Sequence, residues 1–470
     1  HSYVGGLAGI ALGGQITDAS ATATVAGTTS VGGLVGVNGA EGRRLSGSTI
    51  TNASAGGTVS VPDGAESTEY VGGLVGQLYT ADVTSSTANV NIDVRNANTA
   101  TYVGGLVGYA NQSHITGSQA TGAVNVTGSS SVGYIGGLAG DVYGGEVRDS
   151  SAHGDVAGSS AGLVNRVGGL VGEADAVENG TARGNVTVDS NGLAVGVGGL
   201  AGGVRNTVKD GTATGTVMVE ADYGSGLVGG LAGILYTVSN GTATGNVNVT
   251  VETANSTVAV GGLVGQADLV KSGKATGDIT VATEGSAGGI GGLLGSMFPE
   301  DYDQGRVEGS EYTGNIVVTA DNVPDGPVNG ADLGETSYAG IGGLAGYAFS
   351  IVDTSFDGSV TVTAESEVEN VDRVAGILQE NAELNPRVRN VTVDGSVEIN
   401  SGNGASTSGG SSNDDDDDRS SVDVRSMAQS DAAGAQDGGS DVAPTSATGF
   451  VVSMRNVDGG EQIAVDFTEQ

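Results

Sequence analysis

The chain has 470 residues, no cysteine and a formal net charge of −37, because 54 acidic residues outnumber 17 lysines and arginines. The missing cysteines exclude disulfides and thiolate metal sites, and the negative charge disfavours nucleic acid and anionic membranes as partners. High acidity with only three lysines favours a halophilic source, where salt screens self-repulsion, over an ordinary acidic surface protein.

One short phrase, Gly-Gly-Leu-Val/Ala-Gly, recurs through residues 1–400. Its eleven copies begin at Gly5, Gly32, Gly72, Gly104, Gly136, Gly168, Gly198, Gly229, Gly261, Gly291 and Gly342. A worn twelfth copy is Val374-Ala375-Gly376-Ile377-Leu378. A fixed period of about 31 residues indicates a repeat architecture.

Each repeat carries a second phrase in which every other residue is small or apolar. In one copy these residues are Ser118, Ala120, Gly122, Val124 and Val126. Such alternation predicts a strand with one buried face. We therefore expect an all-β chain: a parallel β-solenoid of about twelve coils, each with a Gly-Gly-Leu strand, a small-residue strand and a Val-x-Val strand. Coils stacked about 4.8 Å apart would make a rod on the order of 55–60 Å long.

The glycine phrase poses a parity problem. Val4 and Leu7 are three residues apart, so simple alternation cannot bury both. A bulge or bend at the glycine pair would bury both; alternatively, one of the two apolar ladders lies outside and packs on something else.

Composition divides the chain into three parts. Residues 1–400 form the repeat array, 401–445 a Gly/Ser/Asp-rich acidic linker, and 446–470 a predicted pair of β-strands. Insertions at 38–48, 297–304 and 321–335 predict loops along one edge, where recognition is commonly placed. No apolar run reaches the roughly 18 residues of a membrane helix.

The repeated phrase, as at Gly72–Gly76 and Gly104–Gly108, resembles the GLUG motif. The resemblance covers residue 4 to about residue 400 and is specific because the copies keep their period. It implies a secreted or cell-surface protein with an adhesive or scaffold role, like bacterial adhesins and non-catalytic parts of some immunoglobulin A-cleaving proteases. It brings no catalytic residues, and the His-Glu-x-x-His pair of such proteases is absent from this sequence.

Two acidic stretches are candidate calcium sites, with a solvated acidic loop as the alternative for each. They are Asp414, Asp415, Asp416, Asp417 and Asp418, and Glu300, Asp301 and Asp303. No other cofactor is expected. The three histidines, His1, His114 and His153, are too far apart in sequence to suggest a metal site or a catalytic triad, so we predict no enzyme activity.

Nine sequons agree with secretion, since Asn-x-Ser/Thr is the acceptor for N-linked glycans. They begin at Asn52, Asn111, Asn125, Asn179, Asn185, Asn240, Asn248, Asn255 and Asn390.

The first repeat starts almost at the first residue, without a polar cap, so its end should be adhesive. We expect rods to join head to tail, with the carboxy-terminal strands added across the joint. The assembly candidates are Tyr3, Val4, Leu7, Phe450, Val451, Val452, Ile463, Val465 and Phe467. In the alternatives, residues 446–470 cap their own rod, or the first repeat is exposed only because the sequence is a fragment cut at that point.

The sequence therefore favours a non-enzymatic extracellular rod that assembles with itself into a surface filament. A second hypothesis is a module that binds a glycan or another surface protein through the inserted loops. The third, a polysaccharide-cleaving β-helix enzyme, would need clustered carboxylates in a groove, and no acidic cluster recurs on one face.

Overall fold

The computed structural model describes residues 3–39, 48–252, 257–298, 305–323, 327–329, 336–338, 340–365, 368, 370–378, 387–401, 451–453 and 466–468. Within these ranges every regular element is a strand, and none is a helix. All but four strands belong to two large parallel sheets, of 29 and 20 strands. The prediction of an all-β parallel solenoid is confirmed.

The first sheet contains the strands that precede each bend of the glycine phrase and those of the second phrase. They are Val4–Gly5, Ser20–Ala26, Thr29–Gly32, Ser54–Val61, Ser67–Gly72, Thr87–Gly104, Gln119–Ala120, Val124–Gly136, Ser151–Ala152, Val156–Ser160, Leu163–Gly168, Thr181–Ala182, Val186–Ser190, Leu193–Gly198, Thr212–Ala213, Val217–Ala221, Gly224–Gly229, Thr242–Ala243, Val247–Val251, Thr257–Gly261, Lys274–Ala275, Ile279–Thr283, Ala287–Gly291, Glu311–Thr313, Ile316–Ala320, Ile341–Gly342, Ser355–Ala364, Val371–Asp372 and Thr392–Ser401.

The second sheet contains the strands that follow each glycine phrase. They are Ala8–Ala11, Gln15–Thr17, Val35–Asn38, Thr49–Thr51, Val75–Tyr79, Val83–Thr84, Val107–Asn111, Ile115–Thr116, Ala139–Arg148, Val171–Glu178, Ala201–Lys209, Ala232–Ser239, Val264–Gln266, Leu269–Lys271, Leu294–Ser296, Arg306–Glu308, Ala345–Ala348, Ser350–Val352, Ala375–Leu378 and Arg387–Arg389.

Equivalent residues of successive repeats lie directly above one another. In the Val-x-Val strands, one column contains Val124, Val156, Val186, Val217 and Val247, which pair in parallel register and are all buried. The first glycine of each phrase forms another column, which begins at Gly5 and ends at Asp372. This column has twelve levels, close to the twelve coils that the sequence predicts.

The glycine phrase crosses a corner of the coil, so it is not the continuous strand that the sequence predicts. Strand Thr29–Gly32 ends on its first glycine, Gly33 and Leu34 form a bend, and strand Val35–Asn38 follows. Val31, Leu34 and Val35 are all fully buried. The bend therefore resolves the parity problem, since both apolar ladders face the core.

Hydrogen bonds continue through this bend from coil to coil. The backbone N–H groups of Leu170 and Val171 both donate to the carbonyl oxygen of Leu200, at N–O distances of 2.8 and 3.0 Å. The same double donation recurs from Leu34 and Val35 to Leu74. The corner is thus a third hydrogen-bonded column, which satisfies buried backbone groups that a bend would otherwise leave unpaired.

The second glycine of the phrase faces a column of alanines across the coil. A Cβ atom added to Gly199 would lie only 3.0 Å from the Cβ of Ala213. Further along the rod, Tyr312 and Phe356 replace the alanine; their rings are stacked with centroids 5.8 Å apart and are fully buried. The Tyr312 hydroxyl donates toward the carbonyl oxygens of Gly277 and Asn315, each 3.2 Å away.

A second corner, after each second-sheet strand, places one residue per coil in the left-handed region. Asp149, Asn179, Asp210 and Asn240 occupy this position in four successive coils, with φ between 49° and 55°. Asparagine and aspartate tolerate this conformation because their side chains hydrogen-bond locally. Asn179 donates from Nδ2 to Asp149 Oδ1 at 2.7 Å, and Asn240 does the same to Asp210 at 3.0 Å.

Two predicted insertions leave the coils at defined points. Asn38 and Ser48, which flank the first insertion, exchange hydrogen bonds of 2.6 and 2.7 Å, so its two ends are held together. In the last insertion, strands Pro327–Asn329 and Thr336–Tyr338 form an antiparallel pair. No helix in the described ranges is long and apolar enough to cross a membrane.

Candidate assembly ends and the outer seam of the rod

The first coil leaves apolar side chains uncovered whose equivalents in the second coil are buried. Leu7 is 56% exposed, whereas Leu34, its neighbour in the same column, is fully buried. Ile10 and Leu12 of this coil are also about half exposed, as is Tyr3. Three predicted assembly residues, Tyr3, Val4 and Leu7, therefore lie together at one end of the described solenoid.

The opposite end has the matching columns. Val371 continues the column of Val4, and Val374 occupies the place that leucine has in the other coils. Val371, Val374 and Ile377 are only partly buried against the core, unlike their equivalents in the preceding coil. Each end of the described solenoid thus presents the residue types that pair inside it.

The carboxy-terminal assembly candidates are only partly described. Strands Val451–Ser453 and Asp466–Thr468 pair with one another in antiparallel register, and Val452 lies opposite Phe467. Phe450, Ile463 and Val465 lie outside the described residues. Whether these strands cap their own rod or add to a neighbour stays a prediction.

The glycine bend brings the outer sides of its two flanking strands together, and we call this line of contact the outer seam. A Cβ atom added to Gly172 would lie 2.6 Å from the backbone nitrogen of Ile135, so the two strands touch through their backbones. One column along the seam holds the residue before each Val-Gly-Gly or its equivalent: Ser30, Tyr70, Tyr102, Tyr134, Arg166, Gly196, Leu227, Ala259 and Gly289. The facing column is the third residue of each second-sheet strand that follows a glycine phrase. It holds Val37, Gln77, Tyr109, Asp141, Glu173, Gly203, Ile234, Gln266 and Ser296.

The outer seam begins with tyrosines. Tyr70, Tyr102 and Tyr134, which we call the tyrosine column, stack with ring centroids 5.3 and 4.9 Å apart and interplanar angles of 8° and 23°. Tyr109 packs beside them, with its ring centroid 5.1 Å from that of Tyr102. Burial raises the pKa of Tyr102 to about 12, so its phenol is neutral at ordinary pH.

The seam continues as a charged cluster around Arg205. The Arg205 guanidinium contacts three carboxylates from two other coils: Asp141 at 3.1 Å, Glu173 at 3.1 Å and Asp175 at 3.0 Å. It also lies 5.2 Å from the ring centroid of Tyr143. These contacts, the Arg205 cluster, tie three successive coils together.

Asp141 is the buried member of this cluster. Its side chain is only 6% exposed, and this burial raises its pKa to about 6, although the positive charge of Arg205 opposes the rise. A carboxyl with this pKa changes its charge in mildly acidic solution. The Arg205 cluster is therefore the part of the seam most sensitive to pH.

Sequence reasoning missed the outer seam. Tyr70, Tyr102 and Tyr134 do recur with the repeat, two residues before the glycine pair, and this was the available signal. Nothing in the sequence places that position in the left-handed region, where the structure has Tyr70 and Tyr102 at φ 59° and Tyr134 at φ 55°. That backbone turns the rings onto one another along the rod axis.

The candidate metal sites stay a prediction. Asp414–Asp418 and Glu300, Asp301 and Asp303 lie outside the described residues. Over the part that the structure does describe, no group of three or more His, Cys, Asp or Glu residues is arranged to hold a metal ion. His114 contacts Asp82, with Nδ1 3.2 Å from Oδ1, and His153 lies beside Gln119.

The sequons fall at three kinds of position. Asn52, Asn179, Asn240 and Asn390 lie in the left-handed corner column, where each amide donates to an aspartate of the preceding coil. Asn125, Asn185 and Asn248 lie on or beside the outward face of the Val-x-Val strands, and Asn111 ends a second-sheet strand. Asn255 lies outside the described residues.

The stacked coils, repeated columns and exposed end residues define a structural repeat protein with a β-solenoid fold. A family model described as the GLUG motif matches residues 1–26, 67–93 and 99–127. The resemblance to this motif is thereby confirmed in three segments, all within the first five coils. The chain matches no curated protein and no solved structure.

Proposed function

We propose that the protein is a non-enzymatic rod of the cell exterior that joins end to end into an adhesive surface filament. The observation that carries this proposal is that coils stack in register and bury one leucine each, fully from Leu34 to Leu344, so that a second copy could continue the column at Leu7. Burying such a side chain contributes about 1.5–3 kcal/mol.

Joining rods in register would extend contacts that already exist between coils. Val371 of one copy would lie against Val4 of the next, and Val374 against Leu7, each in the column it already occupies. Backbone groups at the first and last coils would pair as parallel strands do. The two surfaces differ, so the contact is heterologous and, if the rotation between copies does not close a ring, it propagates as a filament.

An extracellular position is supported by the GLUG motif and by the exposed sequons. A structural rather than catalytic role is supported by the repeat itself, since successive coils present similar groups instead of one concentrated site. The predicted partner is therefore a second copy of this chain, with glycans or other surface proteins as further partners.

The test uses two end variants of the full chain in high salt, Leu7→Glu and Val374→Glu. Each buries a carboxylate in the proposed joint, so each alone should stay monomeric by light scattering and electron microscopy while the unmodified chain forms filaments. Because each variant keeps one intact end, an equimolar mixture should form dimers and nothing longer.

Val317→Glu is the matched control, since it adds the same charge at a 40% exposed apolar residue on the side of the rod, in a coil that has neighbours on both sides. It should assemble like the unmodified chain. Monomers of the unmodified chain at every concentration would refute end joining. Filaments that survive both end variants would place the contact elsewhere. Assembly would also be absent in a longer chain in which an additional coil covers Leu7. In that chain Leu7 would be protected from solvent, and this protection would identify the cause.

A further inference from the structure

The tyrosine column joins three coils of a chain that has no cysteine. Tyr102 is its middle member, with a nearly parallel ring on each side. All three rings are half-buried, so solvent reaches part of each one. The pairing of Thr101 with Gly133 and of Val103 with Ile135 keeps Tyr102 and Tyr134 at the same level of the repeat.

This arrangement holds each ring in a backbone conformation that disfavours it. A bulky residue other than glycine at positive φ costs of order 1 kcal/mol or more. In two later coils, glycine takes the same position: Gly196 at φ 68° and Gly289 at φ 63°. Stacking recovers about 0.5–1.5 kcal/mol for each pair. Stacking therefore offsets part of the strain at each tyrosine.

Parallel tyrosines in contact have a specific oxidative chemistry. When each of two phenols loses one electron and one proton, the two phenoxyl radicals join through ring carbons next to their hydroxyl groups. Each ring then regains aromaticity, because the hydrogen on its newly bonded carbon moves to the oxygen of the same ring. Hydrogen peroxide accepts the two electrons and two protons and becomes two water molecules, with a peroxidase as the catalyst.

We propose that the tyrosine column is a covalent cross-linking site, at which a peroxidase-class oxidant with hydrogen peroxide joins Tyr102 to Tyr70 or Tyr134. The bond links neighbouring coils of one chain. It does for this cysteine-free rod what a disulfide does elsewhere, because it prevents the joined coils from separating. Tyr102 is essential to it, since Tyr70 and Tyr134 alone are two coils, or about 9.6 Å, apart.

The experiment treats the full chain with a peroxidase and hydrogen peroxide at low protein concentration. Dityrosine fluorescence is recorded, and cross-linked peptides are mapped by mass spectrometry. The expected product is monomeric, lacks two hydrogen atoms, and joins the peptide of Tyr102 to that of Tyr70 or Tyr134. Its yield should not depend on protein concentration.

Tyr102→Phe is the test variant, because it keeps the stacked ring and removes the hydroxyl that the radical needs. It should lose most of the intramolecular product, leaving at most the tilted pair of Tyr70 and Tyr109, whose centroids are 5.6 Å apart, and the edge-on pair of Tyr79 and Tyr109, at 6.2 Å. Tyr236→Phe is the matched control, since Tyr236 is exposed and lies outside the column. It should keep the intramolecular yield and lose only links between molecules.

Circular dichroism of both variants checks that the fold is kept. Cross-links that form only between molecules, or an intramolecular yield that Tyr102→Phe leaves unchanged, would overturn the proposal. Proteolysis supplies a second measurement: the oxidised chain should resist cleavage within residues 67–136 more than the untreated chain, and equal resistance would contradict the linking of coils.

Discussion

Replacing Asp141 with asparagine should remove a pH dependence that the Arg205 cluster gives to the middle of the rod. Burial raises the pKa of Asp141 from 3.8 to about 6. At about 1.4 kcal/mol per pH unit, this rise corresponds to roughly 3 kcal/mol in favour of the protonated carboxyl in the folded coil. The folded chain therefore binds this proton more tightly than the unfolded chain does.

The sign of the effect follows from that difference. The stabilising contribution of the proton is fully present below about pH 4 and is lost as the pH rises through about 6. Relative to Asp141→Asn, the unmodified chain should thus lose up to about 3 kcal/mol of local stability between pH 4 and pH 8. Arg205→Gln should move the loss to higher pH, because the Arg205 charge lowers the pKa of Asp141.

Hydrogen exchange of peptides that contain residues 139–148 is the suitable assay, because coils of a repeat array open locally rather than all at once. The two chains are compared at the same pH, so the intrinsic pH dependence of amide exchange cancels. A difference in opening free energy between them that stays constant from pH 4 to pH 8 would refute the reasoning. It would mean that Asp141 is better solvated than its burial implies.

Three further predictions concern the core and the charge. Thr257→Val should stabilise its coil by about 1 kcal/mol in hydrogen exchange, because the buried Thr257 hydroxyl has no hydrogen-bond partner in the described structure; a loss of stability would mean that water satisfies it. Gly199→Ala should destabilise by at least about 1–3 kcal/mol, because its Cβ would lie 2.2 Å from the carbonyl oxygen of Gly230 and 3.0 Å from the Cβ of Ala213. Gly56→Ala, whose nearest contact would be 3.6 Å away, should cost less, and equal costs would contradict the packing argument. Removing salt should lower the midpoint temperature of unfolding, because the acidic side chains of a chain with net charge −37 then repel one another without screening. A midpoint independent of salt would argue against a halophilic source.

The fold could be predicted because the repeat leaves few alternatives. The column of Val124, Val186 and Val217 follows from two features of the sequence. The repeat period stacks these residues, and the alternation of small or apolar residues places them on the buried face. The bend at the glycine pair was one of two open solutions to the parity problem. Burial of both Val31 and Leu34 decides between them, because only a bend turns residues three apart to the same side.

The candidate sites were less predictable, for physical reasons. The leucine column that contains Leu7 and Leu34 follows from the period, so the sequence indicates it. The Arg205 cluster does not follow from the sequence, although Asp141 and Arg205 lie on the same sheet two coils apart. The period places their strands, but neither charge recurs with the repeat, so the sequence gives no signal for the contact between them.

The seam and the end contacts are connected by the same geometry. A rod that adds in register extends every column, including those outside the core. Ile377 occupies the seam position of the last coil and Ile10 that of the first, so end joining would place these two side chains together. Ile10 is 51% exposed in the single chain. Joined rods would therefore share an uninterrupted outer seam, with aliphatic side chains at each joint and aromatic and charged side chains between joints. The tyrosine column would recur once per copy along the filament.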